Sequence, residues 1–76
     1  MFENNLKHYR CQIEGMTQDK LAKLADITLR GYQKLEYGKA RPRYDTLRKL
    51  AKALGVTEYD LYPETEREQS QKGRGR

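Results

Sequence analysis

The side chains best suited to reading another molecule fall in one short run of this 76-residue sequence. Between Leu29 and Tyr37 the apolar positions are Tyr32 and Leu35, spaced for one face of a helix, with Leu29, Arg30, Gln33, Lys34 and Tyr37 turned away from it. Arginine offers a two-pronged donor to guanine, and glutamine matches a donor and an acceptor to adenine, in the major groove of duplex DNA. A basic stripe runs from Arg30 through Lys34, Lys39 and Arg41 to Arg43, with Glu36 as its only acid. Cations in such a segment suit phosphate oxygens, although a solvated loop carries the same charges.

Other chemistry is poorly supplied. His8 and Cys11 stand three apart on one segment, but a structural zinc needs four ligands, and a surface histidine beside a partly buried cysteine is the ordinary alternative. Nucleophilic catalysis by Cys11 would need a base and an orienting group, and nothing completes the set. The only glycine-spaced basic run, Lys72-Gly73-Arg74-Gly75-Arg76, has no following helix and so is no phosphate loop. No cofactor, no metal and no catalytic residue is expected, and the chain does not read as an enzyme. Of the six tyrosines, Tyr9 and Tyr32 have core spacing, while Tyr59 and Tyr62 suggest an exposed aromatic surface suited to a dimer contact.

Sixteen Lys and Arg against eleven Asp and Glu give a formal net charge of +5, which favours a polyanionic partner. Seventy-six residues hold one domain with one small core. No apolar run approaches the roughly 20 residues of a membrane span, and Met1-Phe2-Glu3-Asn4-Asn5 lacks the regions of a signal peptide. A single cysteine precludes an internal disulfide. A soluble, cytoplasmic protein without membrane partners is the expectation.

The elements that must position these groups are helices. Phe2, Leu6, Tyr9 and Ile13 recur with helical period until Gly15; Leu21, Leu24 and Ala25 make a shorter stripe; Leu47, Leu50, Ala51 and Leu54 make a clear one that Gly55 ends. An apolar residue, a threonine, and an apolar residue four beyond occur together three times: Met16-Thr17 with Leu21, Ile27-Thr28 with Tyr32, and Val56-Thr57 with Leu61. Each reads as a capped helix start, Thr57 with Asp60 forming an acidic capping box. No segment alternates like a strand. The spacing predicts helices over 3–13, 18–25, 29–37, 44–54 and 58–62, an all-α fold in a domain of residues 1–63 followed by a disordered polar and basic tail over 64–76. Two helices joined only by Asp26-Ile27-Thr28 suit a reader braced by its neighbour, but periodicity alone leaves a generic helical bundle open.

The run Gly15-Met16-Thr17-Gln18-Asp19-Lys20-Leu21-Ala22, then Ile27-Thr28, Leu35-Glu36-Tyr37-Gly38-Lys39, Pro42, Thr46-Leu47 and Leu50-Ala51-Lys52-Ala53-Leu54-Gly55-Val56 resembles the Cro/C1-type (XRE) helix-turn-helix family of phage and bacterial repressors. The likeness spans about residues 6–62. It implies a compact five-helix, lambda-repressor-like DNA-binding fold, a palindromic operator in double-stranded DNA, homodimerisation and repression. By matching position it implies phosphate contact by Gln18, base reading by Leu29, Arg30, Gln33 and Lys34, backbone gripping by Tyr37, Lys39, Arg41 and Arg43, and a structural ion pair between Arg10 and Glu36. The sequence departs from the family pattern in three places: Arg10 stands one residue farther from Gly15, Asp26 replaces a frequent turn glycine, and Gly31 interrupts the reading helix, where it reads as tolerated at a surface position.

A transcriptional regulator of a phage or mobile element, acting by occupying DNA and open to a regulatory protein partner, is the leading reading. An antitoxin that also represses its own transcription and a pure protein-interaction module are the rivals. Because 65–76 lacks apolar groups and adds only screened charge, its deletion should preserve folding and most DNA affinity at physiological salt. Thermal melts and binding titrations of the truncated chain check this, and a large loss of specific binding would overturn it.

Overall fold

Three threonines fix where three helices begin. In the computed structural model, which describes residues 2–63, the side-chain oxygens of Thr17, Thr28 and Thr57 accept from the backbone N–H groups of Lys20, Gly31 and Asp60, each at 3.0 Å. Asp60 returns the bond by accepting from the Thr57 N–H at 3.0 Å, completing the capping box. Caps of this kind contribute about 1 kcal/mol each. Leu21, Tyr32 and Leu61, four residues beyond the threonines, are buried, and Met16, Ile27 and Val56 before them pack against the same core.

The described residues form five helices: α1 (Leu6–Cys11), α2 (Gln18–Leu24), α3 (Leu29–Glu36), α4 (Tyr44–Leu54) and α5 (Glu58–Leu61). None is long and apolar enough to cross a membrane. Leu6 from α1, Leu21 and Ala22 from α2, Tyr32 and Leu35 from α3, Leu47, Leu50, Ala51 and Leu54 from α4, and Leu61 from α5 meet in one core. The tail expected over 64–76 lies outside the described residues.

The helices end as uniformly as they begin. After α2, α3 and α4 a left-handed residue turns the chain: Asp26 at φ 63°, Gly38 at φ 81° and Gly55 at φ 72°. Each time the residue after it donates back five positions: Ile27 to Ala22 at 3.0 Å, Lys39 to Lys34 at 2.9 Å and Val56 to Ala51 at 3.0 Å. This is the Schellman pattern, in which glycine is preferred because it has no side chain to clash. Asp26 occupies the equivalent place between α2 and α3 at a steric cost, so the tight turn is made by bonding pattern rather than by glycine.

Four expectations are corrected. The first helix starts at Leu6 rather than at residue 3, because Asn4 and Asn5 bond elsewhere: Asn4 accepts from the Leu6 N–H at 3.0 Å and donates to the Leu35 carbonyl at 2.9 Å, while Asn5 donates through backbone and side chain to Leu61 at 3.0 Å and Asp60 at 2.8 Å. Residues 2–5 thus lash the end of α3 to α5, and Phe2 stays exposed. Leu24 is 52% exposed, since about 100° per residue puts it well off the face made by Leu21, Ala22 and Ala25. Cys11 is exposed rather than partly buried. Tyr62 is buried, not part of an outer aromatic surface, and its hydroxyl has no hydrogen-bond partner among the described residues. Burial pushes that phenol up to about 12, with the Arg41 cation opposing the rise. Tyr59 alone of that pair is exposed.

The extra residue between Arg10 and Gly15 does not lengthen α1. The chain beyond Cys11 tightens into three-residue turns, Gln12 donating to Tyr9 and Ile13 to Arg10, both at 3.2 Å.

Asp26→Gly is expected to raise stability by about 0.5–1 kcal/mol, and Asp26→Val to lower it by ~1–2 kcal/mol, because a β-branched residue tolerates the left-handed region least. Urea unfolding midpoints check both. The Lys49 ammonium lies 3.9 Å from the Asp26 carboxylate, but both groups are exposed and losing that pair should not reverse the sign.

Candidate nucleic-acid interface

Helix α3 is short, and its hold on the core is what makes its outer face a fixed surface. Tyr32 and Leu35 are buried, which leaves Leu29, Arg30 and Lys34 exposed and Gln33 half-buried on the other side. Tyr37, just past the helix, is 53% exposed. Arg30, Lys34, Lys39 and Arg43 make no ion pair among the described residues, so their charge is available to an external anion. Lys39, Arg41 and Arg43 follow one another in the exposed segment between α3 and α4.

Gly31 is half-buried at the third position of α3. A Cβ there would come within 3.1 Å of the Thr28 side-chain oxygen, the atom that caps α3. A side chain there would require the Thr28 oxygen to give by a few tenths of an ångström, a shift compatible with capping, since Lys20 and Asp60 take the same position in the Thr17 and Thr57 caps.

Behind this face sits an acidic hub. Glu36, whose side chain is 3% exposed, accepts from Arg10 Nε at 2.9 Å and Arg10 Nη2 at 3.3 Å, from the Tyr32 hydroxyl at 2.7 Å, and from Gln18 Nε2 at 2.8 Å. Arg10, 14% exposed, also reaches the Met16 carbonyl at 3.4 Å. One carboxylate therefore joins α1, α2 and α3. Burial by itself would raise the Glu36 carboxyl, but hydrogen bonds from Arg10, Tyr32 and Gln18 outweigh it and hold the group below the usual carboxylate range. The same contact raises Arg10, against its desolvation. Burial first, and the bond to Glu36 second, push the Tyr32 phenol far above its ordinary value.

Gln18, the first residue of α2, sits between this hub and the outer face. Its Nε2 donates to Glu36, and its Oε1 accepts from Gln33 Nε2 at 3.2 Å. An open groove of about 550 Å³ over the hub is lined by Lys7, Arg10, Met16, Thr17, Gln18, Asp19, Leu29, Glu36 and Tyr37. Of the residues singled out in the sequence, Gln18, Leu29 and Tyr37 thus share a groove with Arg10 and Glu36, while Lys39, Arg41 and Arg43 line a separate stretch. Sequence reasoning missed the Tyr32 hydroxyl, visible only as an i, i+4 partner of Glu36, and missed the link from Gln18 to Gln33. His8 pairs with Gln12 Nε2 at 2.9 Å and stacks edge-on with Tyr9, and among the described residues no group of three or more His, Cys, Asp or Glu is gathered.

Two short helices joined by a tight capped turn, the second presenting a polar outer face beside a basic segment, define a helix-turn-helix of the DNA-binding class. The chain belongs to the Cro/C1-type helix-turn-helix family, whose helix-turn-helix profile matches residues 6–61. It is 44% identical over 57 residues, 75% of its length, to the SPbeta prophage-derived uncharacterized HTH-type transcriptional regulator YonR of Bacillus subtilis strain 168. The chain spans 52% of that relative's length. No solved structure matches it.

Glu36→Gln leaves Arg10 facing a neutral amide in a nearly closed site, and should cost about 3 kcal/mol. The pH dependence has a definite sign: a carboxyl depressed in the folded state adds stability above its unfolded value near 4.5 that is lost as pH falls through the lower folded value. Thermal melts from pH 7 to pH 2 should show that loss in the parent and a smaller one in Glu36→Gln. Equal melting temperatures at neutral pH would contradict a buried pair.

Proposed function

We propose that this chain is a transcriptional regulator that binds duplex DNA sequence-specifically and represses by occupying a palindromic operator, as a homodimer in the cytoplasm and without catalysis. The observation that carries the reading is the outer face of α3, where Arg30, Gln33 and Lys34 stand on a helix anchored by Tyr32 and Leu35 beside Lys39 and Arg43, which form no ion pair among the described residues. Arg30, Gln33, Lys34 and Leu29 read base edges in the major groove. Gln18, Tyr37, Lys39, Arg41 and Arg43 contact phosphates, which supply most of the nonspecific affinity and fix the register of the reader. The prophage origin of the similar regulator supports a mobile element as the setting.

Selection from a randomised duplex pool should return two half-sites related by twofold symmetry and centred about 10 bp, or a multiple, apart. On the enriched duplex, Arg30→Ala or Gln33→Ala should cost about 1–3 kcal/mol and relax preference at particular base pairs. Lys39→Ala or Arg43→Ala should weaken all sequences alike and flatten the dependence of log affinity on log salt by about 0.9 per lost phosphate contact. Titrations at several salt concentrations on selected and scrambled duplexes separate the two classes. A reader variant that lost both affinities equally would remove α3 from its assigned role.

A further inference from the structure

We infer that Phe2 and Asn4 are positioning residues for the phosphate grip, forming a strap that fixes the direction in which Lys39 leaves the end of α3. That role rests on the proposed reading of Lys39 as a phosphate contact. It extends the grip to two residues ahead of the first helix, outside the span 6–61 that matches the family profile. The Gly38 carbonyl and the Lys39 N–H belong to one planar peptide unit. The carbonyl accepts from the Phe2 N–H at 3.0 Å, and the N–H donates to the Lys34 carbonyl at 2.9 Å. The unit is therefore held from both sides, by the strap on one and by its own helix on the other.

Gly38 makes such holding necessary. It is buried at φ 81°, a conformation that glycine enters freely and also leaves freely, having no side chain to confine it. Asn4 keeps the strap in place. Its amide donates to the Leu35 carbonyl at 2.9 Å and to the Phe2 carbonyl at 3.1 Å, while its oxygen accepts from the Leu6 N–H at 3.0 Å. One side chain thus joins the start of α1, the strap and the last turn of α3, and Asn5 ties the same segment to α5 through Leu61 and Asp60. Because the Lys39 N–H is committed to Lys34, its side chain is what remains to meet a phosphate. The reach of that ammonium depends on the backbone from which it starts. Released from Phe2, the peptide unit can turn, and the contact must then be ordered at the moment DNA binds.

Two substitutions test the strap. Asn4→Ser keeps an oxygen for the Leu6 N–H but is too short to reach the Leu35 carbonyl; Phe2→Pro removes the N–H that Gly38 accepts. Neither alters a charge. The full chain carrying each is titrated against a duplex of scrambled sequence at several salt concentrations, alongside the parent, Lys39→Ala and the double variants. Thermal melts identify any variant that fails to fold, in which case the other carries the test. A merely structural loss lowers the active fraction equally at every salt concentration and leaves the slope of log affinity on log salt where it was. Loss of the grip instead flattens that slope by up to about 0.9, so that the deficit against the parent shrinks about threefold between roughly 50 and 200 mM salt. Both strap variants should flatten the slope in this way, and neither should flatten it further in the Lys39→Ala background. A parent-like slope in either folded variant, where Lys39→Ala flattens it, overturns the strap while leaving the grip, and so does a further flattening in the Lys39→Ala background. An unchanged slope in Lys39→Ala overturns the grip by that residue, and the role of the strap with it.

Discussion

The Glu36 carboxylate must stay ionised where its side chain is 3% exposed, and the arrangement of the first three helices answers that requirement. A lone carboxylate in such a place would protonate or open the structure to water. Here four donated bonds surround it, from Arg10 of α1, Tyr32 of α3 and Gln18 of α2. Each donor is spent on a different helix, so the contacts that solvate the charge also fix the helices relative to one another. Few apolar side chains are available to do that job, because α2 buries only Leu21 and Ala22, and α3 only Tyr32 and Leu35. A directional polar centre supplies orientation that so thin a core does not.

Around this centre the boundaries of the helices are set locally. Three threonine caps start α2, α3 and α5, and three left-handed turns end α2, α3 and α4. Both kinds of signal occupy one or two residues and act through the backbone within about five positions. That is why seven- and eight-residue helices, too short to persist alone, begin and end at definite places here. Asp26 shows the limit of local signals. The turn it makes is less comfortable for aspartate than for glycine, yet it lets Ile27 reach the Ala22 carbonyl and seat itself against the core.

The same distinction explains what the sequence reveals. Threonine caps, the stripe of α4 and the stop at Gly55 are short-range patterns and read directly. The start of α1 does not, because Phe2 continues the helical period while Asn4 and Asn5 bond to Leu35, Asp60 and Leu61, more than thirty residues away in the chain. A leucine in a seven-residue helix carries too little periodic context to fix its face, so the stripe of α2 does not reveal that Leu24 points outward. Tyr62 has the composition of a surface residue and the position of a core one. For the interface, the polar face of α3 is legible from spacing, whereas the pairing of Arg10 with Glu36 is implied by family likeness and not by any local pattern. The amide chain from Glu36 through Gln18 to Gln33 leaves no periodic trace, since it joins three helix positions by side-chain direction alone.

Two electrostatic regimes therefore meet on one face of the molecule. The Glu36 carboxylate is almost wholly buried at the base of the groove, where mobile ions screen weakly, and its hydrogen bonds should hold across ordinary ionic strengths. Arg30, Lys34, Lys39 and Arg43 lie in water and are unpaired among the described residues, so any attraction they exert decays within about 8–10 Å and weakens as salt rises. On the proposed reading, affinity and selectivity answer to different parts of the chain. On that reading, salt loosens the hold on a phosphate backbone while leaving the hydrogen bonds from Glu36 through Gln18 to Gln33 in place.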